Sequence, residues 1–167
     1  MSQEIIRFAG PDDSDAVAAV IRELDRHYRP RDELMPPTEY RRRLREVIES
    51  NEGTRFVLAF DDVAHPVGIA CIVILRPGRD LGGLLYLKDL YVSDAARGAG
   101  LGTRILQFLA NFAIDRGIDR MDLTTDSDNA GAQRFYDSLG GVVREKVLYT
   151  IHNDALAALA KGDGRKI

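Results

Sequence analysis

A single cysteine, Cys71, leaves no partner for an internal disulfide. The three histidines, His27, His65 and His152, lie far apart without metal-ligand spacing, so no metal is expected. Positive charge is not in excess: the formal net charge is -3. Nucleic acid is therefore not expected as a partner, because binding a phosphate backbone requires a basic face. No apolar run approaches the length needed to cross a bilayer, and "MSQEIIRFAG" lacks the basic-then-apolar layout of a secretory leader. These absences lead to the expectation of a cytoplasmic chain without a membrane partner.

Two familiar phosphate-binding motifs are missing as well. No Gly-Lys-Ser/Thr occurs anywhere. The dinucleotide pattern G-x-G-x-x-G fails, because from Gly98 and Gly100 its third glycine would fall at Thr103.

What is present fits one globular domain over residues 1–167. The chain is 45% hydrophobic and 29% charged, which permits a sizeable core beneath a solvated surface. "EIIRFAG" reads as a strand closed by Gly10 and Pro11. "PDDSDAVAAVIRELDRHY" offers acidic start signals, then Val17, Val20, Ile21 and Leu24 at helical spacing. After Pro36-Pro37, "TEYRRRLREVIES" reads as a second helix with Tyr40, Leu44, Val47 and Ile48 on one side. "TRFVLAF", "HPVGIACIVILR" and "LGGLLYLKDLYV" are three strands joined by turns around "DDVAH" and "PGRDLGG". A third helix follows with Leu101, Ile105, Phe108 and Phe112 as its apolar face. "RMDLTTD" reads as a strand, "NAGAQRFYDSLG" as a short helix, "VVREKVLYTIH" as a final strand and "NDALAALAKG" as a weakly helical tail. Hairpins followed by a strand–helix–strand unit indicate a mixed sheet with helices packed on it.

One junction asks for more than a plain turn. In "LKDLYVSDAARGAGLGTRIL", three glycines, Gly98, Gly100 and Gly102, crowd the entrance to the third helix. One would suffice to turn the chain, and each costs about 0.5–1 kcal/mol relative to alanine in regular structure. Repeating that cost implies that a group must lie directly on the backbone. A helix entrance with exposed N–H groups suits phosphate, and Arg97 beside it adds a permanent positive charge.

The pattern Arg97-x-x-Gly100-x-Gly102 after a strand resembles the hallmark of the GNAT superfamily of acyl-CoA-dependent N-acyltransferases. "LYV" before the turn and "NAGAQRFYDSLGG" beyond it extend the resemblance, and the order of strands and helices matches along nearly the whole chain. It implies an α/β fold whose central mixed, mostly antiparallel sheet is splayed between strands 4 and 5 and flanked by helices. It also implies acetyl-CoA as co-substrate, direct acetyl transfer to a primary amine of a small molecule (an amino acid, a polyamine-like molecule or an antibiotic amine), and often a homodimer. The cofactor-binding residues it implies are Leu90, Tyr91 and Val92 along the pantetheine arm. The amides of Arg97, Gly98, Ala99, Gly100, Leu101, Gly102 and Thr103 would meet the pyrophosphate, and Asn129 the arm. Asn129 has an equally natural reading as a helix cap. Tyr136 matches the general acid that protonates the leaving thiolate; a phenol with pKa near 10 suits a thiolate with pKa near 8.5. The Val92 amide matches the oxyanion donor.

Within that family the chain looks most like the diamine (spermidine/spermine) acetyltransferase group, which typically has "LLYLEDFFV" where this chain has "LLYLKDLYV". Lys88 thus replaces a glutamate, and Tyr28 replaces a second acid late in the first helix. These changes weaken a site for a polycation. Tyr28, Lys88 and Asp89 are the acceptor-side candidates, with Asp89 also a candidate proton acceptor; strand alternation leaves open whether Lys88 or Asp89 faces the acceptor. The basic residues between Arg22 and Arg45 are interleaved with acids and read as an ion-paired surface. A protein or peptide acetyltransferase and a non-catalytic acyl-CoA sensor are the alternatives.

Overall fold

The computed structural model describes residues 5–50, 52–78 and 82–162. Residues 1–4, including the first residue of "EIIRFAG", and residues 79–81, within the turn "PGRDLGG", lie outside the described residues. The chain forms two compact units, Met1–Thr124 and Thr125–Ile167.

The first unit is a five-stranded sheet in the order β1-β2-β3-β4-β5. Its strands are β1 (Ile5–Phe8), β2 (Thr54–Phe60), β3 (Pro66–Leu75), β4 (Leu84–Val92) and β5 (Met121–Leu123). The first three pairings are antiparallel and β4–β5 is parallel, so the sheet is mixed as expected. The sheet is apolar on both faces, as its β-branched runs require, and each face has its own cover. On one side Val57, Ala59, Ala70, Ile72, Leu85 and Leu87 pack against α3 (Leu101–Ile114). On the other, Phe56, Leu58, Phe60, Ile69, Cys71 and Tyr91 meet Val17, Val20 and Leu24 of α1 (Ser14–Tyr28). The partly buried Leu44, Val47 and Ile48 of α2 (Pro37–Glu49) pack against the same cluster.

In α3 the fully buried Leu109 takes the place that the spacing assigned to Phe108. Phe108 instead stacks at the margin of the cluster, 5.3 Å from the Phe8 ring. Several basic residues of α1, its C-terminal end and α2 are ion-paired, as in Arg29–Asp25, Arg42–Glu46 and Arg43–Glu39. No helix of the described residues is long and apolar enough to cross a membrane.

The second unit holds α4 (Ala130–Ser138) and α5 (Asn153–Ala160), so the weakly helical tail does form a helix. The expected final strand does not form. Residues 142–152 are not in a strand, and their side chains lie open, Val143 at 85% and Tyr149 at 86% exposure. No backbone hydrogen bond joins this stretch to another described residue. Its alternation of β-branched and polar residues is a preference only; a strand needs a ladder to pair with.

Candidate active site

Two irregularities of β4 create the site. The β3–β4 register shifts between Cys71 and Ile72: Asp89 faces Cys71 and Leu87 faces Ile72, leaving Lys88 as the extra residue. The pairing of β4 with β5 ends at Leu87 and Leu123, while β4 runs on to Val92. Beyond Leu87 no ladder joins the β5 side of the strand among the described residues, which is the expected splay.

The bulge decides which backbone groups face that gap. Before it, the amide of Leu85 donates toward the β5 side, to the Arg120 carbonyl at 3.0 Å. After it, the Ser93 amide donates to Val67 across β3 at 2.9 Å. Backbone direction alternates along an antiparallel strand, so Tyr91 pairs with Ile69 while Leu90 and Val92 point outward. Of the three residues matched to the pantetheine arm, two thus present their backbone to the gap. Tyr91 instead places its ring in the core on the α1 side, 5.9 Å from His27.

The same bulge answers the question that alternation left open. Leu87 packs toward α3 and Tyr91 toward α1. With one residue inserted between them, Lys88 and Asp89 both emerge on the α1 side. Their charged atoms pair at 2.7 Å, with Lys88 62% and Asp89 22% exposed. Burial works against the Lys88 charge, but the hydrogen bond to Asp89 and the fields of Asp89, Cys71 and Asp25 leave its pKa above the ordinary value.

Beyond β4, a turn of 3-10 helix at Asp94–Ala96 leads into the glycine loop. Gly98 and Gly100 both have positive φ, +83° and +76°, a region that L side chains enter at a cost of about 1–2 kcal/mol. Gly102 lies within the first turn of α3, which opens at Leu101. The first intrahelical bond runs from the Arg104 amide to the Gly100 carbonyl. The amides of Leu101, Gly102 and Thr103 therefore stand ahead of the ladder, as at any helix entrance. Arg97 spans the loop: Nε donates to the Val92 carbonyl at 3.0 Å, Nη1 holds Asp94 at 2.7 Å, and the guanidinium lies 5.5 Å from the Tyr91 ring centre.

Some features here were not foreseen. Arg104 donates from Nη1 to the Ala99 carbonyl at 2.7 Å, bringing a second guanidinium to the loop; its place one turn after Gly100 was a usable signal. Asp25 of α1 accepts from the Tyr40 hydroxyl and pairs with Arg29, and Ser93 donates to Glu23 at 2.9 Å. The Tyr40–Asp25 and Ser93–Glu23 contacts join segments distant in sequence, so no local pattern announces them. Tyr40 is buried beside Asp25. Tyr28 ends α1 and is 56% exposed, its ring edge-on to His27.

In the second unit, Asn129 caps α4 by accepting the Ala132 amide at 3.0 Å, so the capping reading holds. Phe135 and Tyr136, on α4, are half-buried with ring centres 5.2 Å apart.

A left-handed glycine loop after a bulged, splayed strand is the geometry the motif implied. Residues 18–140 match the model of the acetyltransferase (GNAT) family. The chain belongs to that family. Among its relatives, a thialysine N-epsilon-acetyltransferase from Bos taurus is 36% identical over 59 residues. That match covers 35% of this chain and only 35% of the length of the relative. An integron cassette protein from the mobile metagenome of V. cholerae is 31% identical with a TM-score of 0.87, covering 95% of this chain and 98% of its own. An aminoglycoside N-acetyltransferase solved in complex with CoA shares the fold at 18% identity and a TM-score of 0.71, covering 90% of this chain and 95% of its own.

Proposed function

We propose that this GNAT-family chain is an N-acetyltransferase that moves an acetyl group from acetyl-CoA directly to a primary amine of a small molecule. One observation carries the reading: the open edge at Leu90 and Val92 runs straight into a loop of left-handed glycines at a helix entrance. The edge suits an extended amide-bearing arm, added as a strand would be. The loop amides from Arg97 to Thr103 suit a pyrophosphate, with Arg97 and Arg104 contributing positive charge. The solved relative with CoA and the amine named for the bovine relative support donor and acceptor class respectively.

The chemistry assigns each group a task. An alkyl ammonium with pKa near 10 is only about one part in a thousand neutral at pH 7, so a base must take its proton; Asp89 is the acceptor in this proposal. The amine nitrogen then bonds to the acetyl carbon while the Val92 amide stabilises the oxyanion. The carbon–sulfur bond breaks and Tyr136 protonates the departing thiolate, while the surplus proton left on the new amide nitrogen returns through water to the Tyr136 phenolate. The role of Tyr136 is carried over from the family motif, as is a contact of Asn129 with the donor arm alongside its cap.

The family match crosses from one compact unit into the other, which supports one acetyltransferase domain over the whole chain. A cytoplasmic location and a homodimer complete the proposal. The test is thiol release from acetyl-CoA with a panel of amines. Release that depends on amine concentration is expected; calorimetric binding of acetyl-CoA without release for any amine would sink the catalytic reading.

A further inference from the structure

We infer that the acceptor is an α-amino acid bound as a zwitterion, its carboxylate on Lys88 and its amine on Asp89. The inference rests on the acetyltransferase reading and deepens it.

Adjacent residues of a regular strand point to opposite faces. Here the extra residue opposite the Cys71/Ile72 step brings Lys88 and Asp89 out on one face, with Nζ and Oδ2 2.7 Å apart. A cation and an anion are thus offered side by side, immediately before the outward-facing backbone of Leu90. Asp25, the other acid whose field reaches Lys88, is already held by the Tyr40 hydroxyl and Arg29. Its charge is offset within the α1–α2 pair, leaving Lys88 as the cation beside Asp89.

The ammonium and carboxylate of an α-amino acid are separated by one carbon and lie about as far apart as two ion-paired groups. Laid head to tail on Lys88 and Asp89, they complete a ring of four alternating charges with charge-assisted hydrogen bonds on each side. A diamine cannot do this, because whichever ammonium does not meet Asp89 is repelled by Lys88. Losing the carboxylate, as in an amino-acid amide, leaves Lys88 without its share of the contact. Transfer of one ammonium proton to Asp89 frees the lone pair to form the new C–N bond; the thiol leaves with the proton from Tyr136, and the phenol is restored by the second proton that the new amide nitrogen sheds.

The test measures kcat/KM for an amino acid, its carboxamide and spermidine, in the wild type and in Lys88→Gln and Lys88→Glu. Acetyl-CoA affinity is measured by calorimetry in each to verify folding. The expected result is an amino-acid preference of at least tenfold over the carboxamide, collapsing toward parity in Lys88→Gln and shifting to spermidine in Lys88→Glu. A wild type that turns over the carboxamide or spermidine as fast as the amino acid overturns the inference and leaves the acetyltransferase reading standing. So does an amino-acid preference that survives Lys88→Gln unchanged. Acetyl-CoA binding without turnover of any amine overturns both.

Discussion

The Nε of Arg97 lies 3.0 Å from the carbonyl oxygen of Val92, and the same guanidinium holds Asp94 at 2.7 Å. The arginine of the motif therefore stitches the end of the splayed strand to the glycine loop, besides placing charge there. Removing it should harm the donor site more than the fold, since the Arg97–Asp94 pair is exposed and such pairs are worth about 0–1 kcal/mol. Arg97→Ala is expected to weaken acetyl-CoA binding about tenfold, with a smaller loss in Arg97→Lys, which keeps the charge but not the planar fork. Calorimetry at two salt concentrations measures both components, and urea midpoints close to wild type are expected for each variant.

Gly100 has φ +76° at the entrance to α3, and a Cβ placed there would lie 3.4 Å from the Arg104 guanidinium. Gly100→Glu adds backbone strain of about 1–2 kcal/mol and an anion where an anion is to bind. Donor affinity should fall by about a hundredfold or more. Gly98→Ala is the milder control, because its Cβ would meet nothing within 4 Å and only the left-handed φ, +83°, resists it. A Gly100→Glu variant that still binds acetyl-CoA normally would exclude the loop as the phosphate site.

How much of this was legible in the sequence divides along physical lines. The helices and the first five strands carry their own periodicity, so Val17, Val20 and Leu24 announced α1 and "TRFVLAF" matched β2. The glycine loop was legible because conformations of positive φ leave a residue-type signature. The orientation of Lys88 was not: it depends on a one-residue insertion relative to β3, and a bulge is a property of a pairing. Tyr40 stands on the apolar side of α2 as its spacing indicates and is buried, but the partner of its hydroxyl, Asp25, lies on another helix that no local pattern names. Residues 142–152 show the converse failure, where strand-like alternation found no ladder.

Tyr136 offers a separable test of the chemistry. Tyr136→Phe keeps the ring beside Phe135 and removes only the hydroxyl. If the hydroxyl protonates the thiolate, kcat should fall by roughly a hundredfold, within the usual range for a general acid, while the KM for acetyl-CoA stays near wild type. The pH profile should also lose whatever alkaline limb the phenol imposes. A variant with an unchanged kcat at every pH removes Tyr136 from the mechanism.

Asp13 links the first strand to α1. Its two carboxylate oxygens accept from Arg7, each at 2.7 Å, and one also accepts the Gly10 amide at 2.7 Å. The Arg7 hydrogen bond holds the carboxyl below its ordinary pKa, against the opposing effect of partial burial. A carboxyl whose folded pKa lies below the unfolded one stabilises the fold above the unfolded value, about 3.9, and loses that contribution as pH falls through the folded one. Asp13→Ala should therefore cost roughly 1–2 kcal/mol at pH 7. The gap from wild type should hold steady down to about pH 5 and narrow below pH 4. Urea unfolding of both proteins at each pH measures it, and a gap unchanged at pH 2 would refute the ionic account.

Cys71 bears on whether transfer is direct. It is buried in the α1-side cluster, and burial first, then the charge of Asp89, push its thiol up to about 11, with Lys88 opposing. At neutral pH it is a protonated thiol shielded by packing, a poor nucleophile, because the thiolate is the reactive species. In the folded protein an aromatic disulfide reagent at pH 8 should react slowly or not at all, and rapidly once urea unfolds the chain. Cys71→Ala should retain turnover, with a modest loss of stability from the smaller side chain. Mass spectrometry during turnover should find no acetyl group on the protein. An acetylated Cys71 that forms and decays at the catalytic rate would replace direct transfer with a covalent route, and Asp89 would then be neighbour to a nucleophile instead of base to an amine.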